Sequence, residues 1–218
     1  MAELDPDRVL ALSYVPAAKR SALKALWSLD CALGAVLAGG REPMISRIKL
    51  AWWRDSLERL DGARPPGEPV LQALAEQVLP LGITGADLAG MEEGWAVLLS
   101  DAPLTQEDLS LYAEKRGRLL FSLSARILSG SPEVDGAGGG EPWALIDLAR
   151  HCGNATDADS AVEAARRYPS AKVSPRLRPL GMLDALARRD GDPHRPRWEA
   201  QGSPGRMWRM LRHRLSGK

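Results

Sequence analysis

The chain has 218 residues, 44% of them hydrophobic, and a formal net charge of +1. That is enough apolar material for one core of ordinary size, so one globular body with a tail is expected. The charge is uneven: residues 166–218 carry 14 Lys/Arg against 4 Asp/Glu, or +10, and leave residues 1–165 at −9.

Cys31 and Cys152 are the only cysteines. With no CxxC pair they exclude a disulfide framework and a zinc site, which fits a reducing, cytoplasmic setting. No apolar run approaches the roughly 20 residues of a membrane span. The opening MAELDPDR is too acidic and polar for a secretory signal. A soluble protein is expected, attached at most to the inner face of a membrane as a peripheral protein.

Asp5-Pro6 is an N-cap and first-turn pair that opens a short helix through about Leu12, and Ser13-Tyr14-Val15-Pro16 breaks it. From Arg20 to Leu60 lie the two most strongly patterned helices. In the first, Leu23, Leu26, Trp27, Cys31, Leu33 and Val36 recur near helical spacing until Gly39-Gly40. The second starts at Pro43, with Ile45, Ile48, Ala51, Trp52, Leu57 and Leu60 as an apolar stripe. Of the adjacent Trp52 and Trp53, one faces the core and the other an edge or a partner surface.

A proline-rich loop, DGARPPGEP, leads to a helix over Val70–Leu81 that Pro80 interrupts. Thr84 caps a helix over Ala86–Leu99, and Asp101-Ala102-Pro103 turns the chain. Thr105 with Asp108 imitates a capping box and opens the longest, central helix, through about Leu128, with Leu109, Tyr112, Arg116, Leu119, Leu123 and Ile127 on one face. Residues 129–142 read as a flexible connector of small residues. Further helices are expected over Trp143–His151, Asp157–Arg167 and Arg176–Arg189. A loop then leads to a last helix that begins at Ser203-Pro204. No stretch alternates with period two for long enough to be a strand, so the fold is all-α.

The order of a Pro, an Arg, ALKALWSLD, REPM and then LAWWRDSLERL, followed by GEPVLQAL, resembles the N-terminal half of the squalene and phytoene synthase family. The REPM…LAWWRDSL block is its most specific part. The resemblance implies a single-domain, isoprenoid-synthase-like helical bundle over residues 1–190, truncated at its C-terminal end relative to the enzymes, with 191–218 as a basic loop and an amphipathic helix. Enzymes of this family condense two prenyl diphosphates head to head, with Mg²⁺ held between diphosphate and two aspartate-rich motifs. By family position the candidate ligand-binding residues are Ser13, Tyr14, Arg20, Asp147 and Arg150. The Ser13–Pro16 corner also reads simply as a helix-helix corner.

The magnesium chemistry is not legible. Mg²⁺ prefers oxygen ligands, and on a helix its carboxylates must lie three or four residues apart. Where the family has its first motif, this chain has Gly34, Ala35 and Ala38, and Cys31 stands where an arginine is usual. In the second motif Asp147 matches an asparagine, Arg150 an arginine and His151 an aspartate, and imidazole suits softer metals. His151, four residues from Asp147, also reads as a local hydrogen-bond partner. Among the other carboxylates, Asp55 and Glu58 read as helix-surface ion-pair partners of Arg59 and Arg54. No catalytic residue and no metal ligand is therefore assigned.

Two readings follow from the resemblance. In the first, the chain keeps the helical shell, has lost the condensation and acts by binding a prenyl or other lipid, or a protein. Members lacking the aspartates include a mitochondrial assembly factor of respiratory complex I. The alternative is an active prenyl transferase, the one case that calls for Mg²⁺. Residues 204–215, with Met207, Met210, Leu211 and Leu215 on one side and arginines on the rest, form a basic amphipathic helix. It is expected either on an anionic membrane or acidic partner, or folded back on the acidic body. Nucleic acid is not expected as a partner, because no zinc finger or helix-turn-helix accompanies the basic end.

Overall fold

A computed structural model describes residues 3–39, 42–100, 102–132, 138–170, 173–194 and 198–216. Gly40, Asp101 and parts of the expected 129–142 connector and of the loop before the last helix lie outside them. Among the described residues the structure is helical, without strands.

The first helix, α1 (Pro6–Ser13), is capped by the Asp5 carboxylate, which accepts from the backbone N–H groups of Asp7 and Arg8. α2 (Ala17–Ala38) starts directly after Pro16. It is 22 residues long and, by length and composition alone, apolar enough to cross a membrane, contrary to the expectation that no run approaches that length. Its apolar side is spent inside the protein: Leu23, Leu26, Trp27, Leu29 and Leu33 are fully buried in the core. α3 (Pro43–Arg59) returns antiparallel to it, with Trp53 buried and Trp52 exposed.

α4 (Pro69–Gln77) ends in a 3-10 turn at Leu79–Leu81 that contains Pro80. The helix expected over Ala86–Leu99 is split at Gly90 into α5 (Gly85–Ala89), α6 (Met91–Ala96) and a 3-10 turn, Val97–Leu99. α5 carries a capping box from Thr84 and Asp87.

The central column is not one α-helix. After α7 (Gln106–Tyr112), whose Thr105–Asp108 capping box is formed as expected, Ala113–Arg118 make a π-helical turn before α8 (Leu119–Ser129). Such turns frequently mark functional sites. Here it coincides with two very close helix approaches. A Cβ on Gly117 would lie 2.3 Å from the carbonyl oxygen of Gly140, and one on Gly94 would lie 2.9 Å from the backbone nitrogen of Arg116. Only glycine permits either contact.

Gly140 also belongs to α9 (Gly140–His151), so the last three residues of the expected connector are helical. Pro142 is tolerated there because N–H groups of a first turn lack intrahelical partners. α10 (Ala155–Arg166) is capped by Asn154, and α11 (Arg178–Asp190) follows a 3-10 turn at Pro175–Leu177. α12 (Pro204–Ser216) packs on α11 and α1. Of the two dispositions left open for this helix, the structure has it folded back on the body.

Candidate functional site

Four charged side chains from four segments meet beneath one cavity. Asp30 on α2 is completely buried, and Arg116 of the π-helical turn and Arg8 of α1 are nearly so. Arg116 grips Asp30 side-on, Nε donating to Oδ1 at 2.8 Å and an Nη to Oδ2 at 2.9 Å, and donates to Asp147 Oδ2 of α9 at 2.7 Å. Arg8 reaches Asp30 Oδ2 at 2.9 Å and also pairs with Asp5. Trp95 Nε1 donates to Asp30 Oδ1 at 3.2 Å, and Arg116 donates to the Tyr112 hydroxyl.

Aromatic rings enclose the Arg116 guanidinium, which lies 4.2 Å from the Trp95 ring centre and 4.9 Å from that of Trp143. Burial pushes the Asp30 carboxyl up, but Arg116 and Arg8 outweigh it and hold it below the usual carboxylate range. For Asp147 burial is likewise outweighed, by Arg116, Arg8 and His151, with the same result. Burial drives the Tyr112 hydroxyl the other way, well above the ordinary phenol value, so it stays neutral.

A cavity of about 640 Å³ opens here, lined by Asp30, Arg8, Arg116, Tyr112 and Asp147, by further polar side chains including Glu3, Asp5, His151 and Asp157, and by Leu37, Ala38, Trp95, Leu98, Leu104 and Leu148. Its size is that of a small-molecule site, and it pairs a few convergent polar groups with apolar walls.

The donors do not fit Mg²⁺. Both oxygens of Asp30 already accept from guanidinium groups, and two neighbouring carboxylates, Asp5 and Asp147, share those same guanidiniums. Gly34 lies under the Trp95 indole, and a Cβ there would lie 2.8 Å from the ring. Ala38 lines the cavity without an oxygen to offer, and Ala35 is not in the lining. Among the described residues no group of three His, Cys, Asp or Glu could hold a metal ion.

The five candidate ligand residues are not gathered in one cavity, although Asp147 and Arg150 both line a smaller pocket. Asp147 is in the cavity lining. Arg150 turns away from it, to Asp190 Oδ2 at 2.6 Å and the Glu199 carbonyl at 2.9 Å, within a smaller neighbouring pocket. Ser13 donates to the Leu10 carbonyl at 2.7 Å, Tyr14 lies under the Arg214 guanidinium, and Arg20 donates to the Ser13 and Val15 carbonyls. None of these three lines the cavity. His151 takes its expected local partner, with Nδ1 at 2.8 Å from the Asp147 carbonyl oxygen. Arg54 reaches toward Glu92 at 3.9 Å rather than Glu58.

Sequence reasoning missed Arg8, Asp30 and Arg116. A signal was present: each is a charged residue inside an apolar helix face, and charges are buried only when paired.

A second buried ion cluster docks α12. Arg206 donates to Asp7 Oδ2 at 2.9 Å and to both Asp190 oxygens at 2.7 and 2.6 Å. Met210 and His213 share that inward face, whereas Met207 and Leu215 of the expected apolar side are exposed, as is Trp208.

A protein-family model described as squalene/phytoene synthase matches residues 1–162, which takes in every cavity-lining residue named above. No curated protein and no solved structure matches the chain.

Proposed function

The chain belongs to the squalene/phytoene synthase family, and from that premise we propose that it uses the family's helical shell as a lipid-binding cavity and does not condense prenyl diphosphates. The observation that carries this reading is the double grip of Arg116 and Arg8 on Asp30. A carboxylate whose lone pairs are taken by two guanidiniums is a poor magnesium ligand.

The same ion balance favours a particular ligand class. Arg8 and Arg116 on the floor face Asp5, Asp30 and Asp147, so no positive charge is left over for a diphosphate. An uncharged isoprenoid or another lipid chain with a hydroxyl-sized head suits a floor with no spare cation and the leucine-lined walls. Outside the cavity, Met207, Trp208 and Leu215 with the exposed Arg212 and Arg214 make the outer face of α12 an attachment surface for an anionic membrane that supplies such a lipid.

Titration of the full chain with farnesol and with farnesyl diphosphate, each with and without Mg²⁺ and followed by tryptophan fluorescence, tests the reading. Farnesol binding that is independent of Mg²⁺ and weakened by Ala38→Trp is expected. Binding of the diphosphate alone, and only with Mg²⁺, overturns it in favour of an active prenyl transferase.

A further inference from the structure

The outer face of α3 remains unexplained by the cavity. Ser46, Leu50, Trp53 and Leu57 turn inward, and Met44, Ile45, Ile48 and Trp52 turn outward. These four are 67%, 45%, 62% and 46% exposed. At 100° per residue, positions 44, 45, 48 and 52 fall within a sector about 100° wide, so they form one continuous stripe over two turns. Scattered exposed hydrophobics need no explanation, but a continuous stripe of four does.

The flanks of the stripe identify its occupant. Arg47 and Lys49 stand on either side of it, both exposed, and no described carboxylate pairs with either. An apolar stripe bordered by unpaired cations, with an indole at its edge, is the composition of a helix that lies in the interface of an anionic bilayer. The Trp52 ring is held edge-on against Trp53, 5.4 Å between ring centres, so the indole is oriented before it meets a surface.

We propose that α3 docks the protein on an anionic lipid bilayer through Met44, Ile45, Ile48 and Trp52, with Arg47 and Lys49 against the headgroups. The docking helix stands beside the cavity wall. Ser46 in its first turns donates to the Val36 carbonyl, next to Leu37 and Ala38 of the cavity wall. Docking itself does not depend on what the cavity holds.

Flotation of the full chain with phosphatidylcholine vesicles, with and without phosphatidylserine, tests the proposal. The parent chain floats with the phosphatidylserine vesicles and is released by high salt, because headgroup attraction is screened within about 10 Å at 0.1 M salt. Met44→Glu with Ile48→Glu lowers the bound fraction about tenfold or more, as does Arg47→Glu with Lys49→Glu. The altered side chains are exposed, and an unchanged thermal unfolding curve shows that the variants fold. Trp208→Glu with Leu215→Glu tests α12 in parallel. Truncation is unsuitable there, because it would strip Arg206 from the buried Asp7 and Asp190. No flotation of the parent overturns the proposal, as does a Met44→Glu/Ile48→Glu chain that floats like the parent. A parent that does not float but runs as a dimer, and becomes a monomer on the same substitution, assigns the stripe to a second copy and also overturns it. None of these outcomes is affected by whether farnesol binds.

Discussion

Arg116 holds Asp30 from 86 residues away, with two hydrogen bonds that close a planar fork on a carboxylate wholly removed from water. Arginine is suited to this, since its donors match both carboxylate oxygens at once. The pair joins α2 to the π-helical turn and, through Asp147, to α9. It is both the floor of the cavity and a tie across the core.

Breaking that tie from one side leaves a buried charge without its counterpart. Asp30→Ala is expected to lower stability by about 3–5 kcal/mol in urea unfolding. The double variant Asp30→Ala with Arg116→Met should lose less than the sum of the two single changes, because both single changes remove the same Arg116–Asp30 contact. Additive losses would show that the two side chains do not act as a pair.

The close approach of the π-helical turn to α9 predicts a sharp intolerance at one glycine. Gly117→Ala places a Cβ 2.3 Å from backbone and should destabilise the fold by at least about 1–3 kcal/mol. At Gly62 a Cβ meets nothing within 4 Å, so Gly62→Ala should leave the melting temperature nearly unchanged. Equal melting of the two variants would contradict the packing described.

Adjacent tryptophans should behave oppositely. Trp53→Ala removes a buried anchor and should cost about 3–5 kcal/mol, and Trp52→Ala, on the exposed face, should stay within about 0.5 kcal/mol. Urea unfolding of both variants checks this.

Stability should fall toward acid pH partly through His213. The ring is buried on the docking face of α12, with neither nitrogen hydrogen-bonded, and it crowds Gly181. Burial, then Arg178 and Arg209, hold its pKa below the ordinary 6.5. The folded state therefore takes up this proton at lower pH than the unfolded chain does. Its contribution is fully present above pH 6.5 and is lost as pH falls through the depressed folded value. His213→Gln should flatten the stability profile in that window. An unchanged slope in thermal unfolding measured from neutral to mildly acid pH would exclude His213 as the titrating group.

What was legible in the sequence was local. Asp5-Pro6, the Thr105–Asp108 box and the period of α2 are readable because caps and apolar spacing act within a few residues, whereas the stripe expected for α3 misplaces its buried face, since Ile45, Ile48 and Trp52 are exposed and Leu50 and Trp53 are buried. The family assignment rested on such a local block and agrees with the family match over residues 1–162. The ion network was not legible, because the partners Arg8, Asp30, Arg116 and Asp147 come from separate segments and only the packed helices bring them together. The π-helical turn escaped for a related reason: it answers to the Gly117–Gly140 and Gly94–Arg116 contacts, which no single helix reveals. Arg206 reads in the sequence as one of several arginines on the basic side of the last helix, and only the packed fold singles it out as the one that meets Asp7 and Asp190.

Incubation of the purified full chain with farnesyl or geranylgeranyl diphosphate and Mg²⁺, followed by extraction for hydrocarbon and assay of released pyrophosphate, addresses most directly whether this cavity binds lipid without condensing prenyl diphosphates. With Asp30 held by Arg116 and Arg8 and Gly34 covered by Trp95, product no greater than that of a heat-killed control is predicted. Hydrocarbon or pyrophosphate above that control would contradict it.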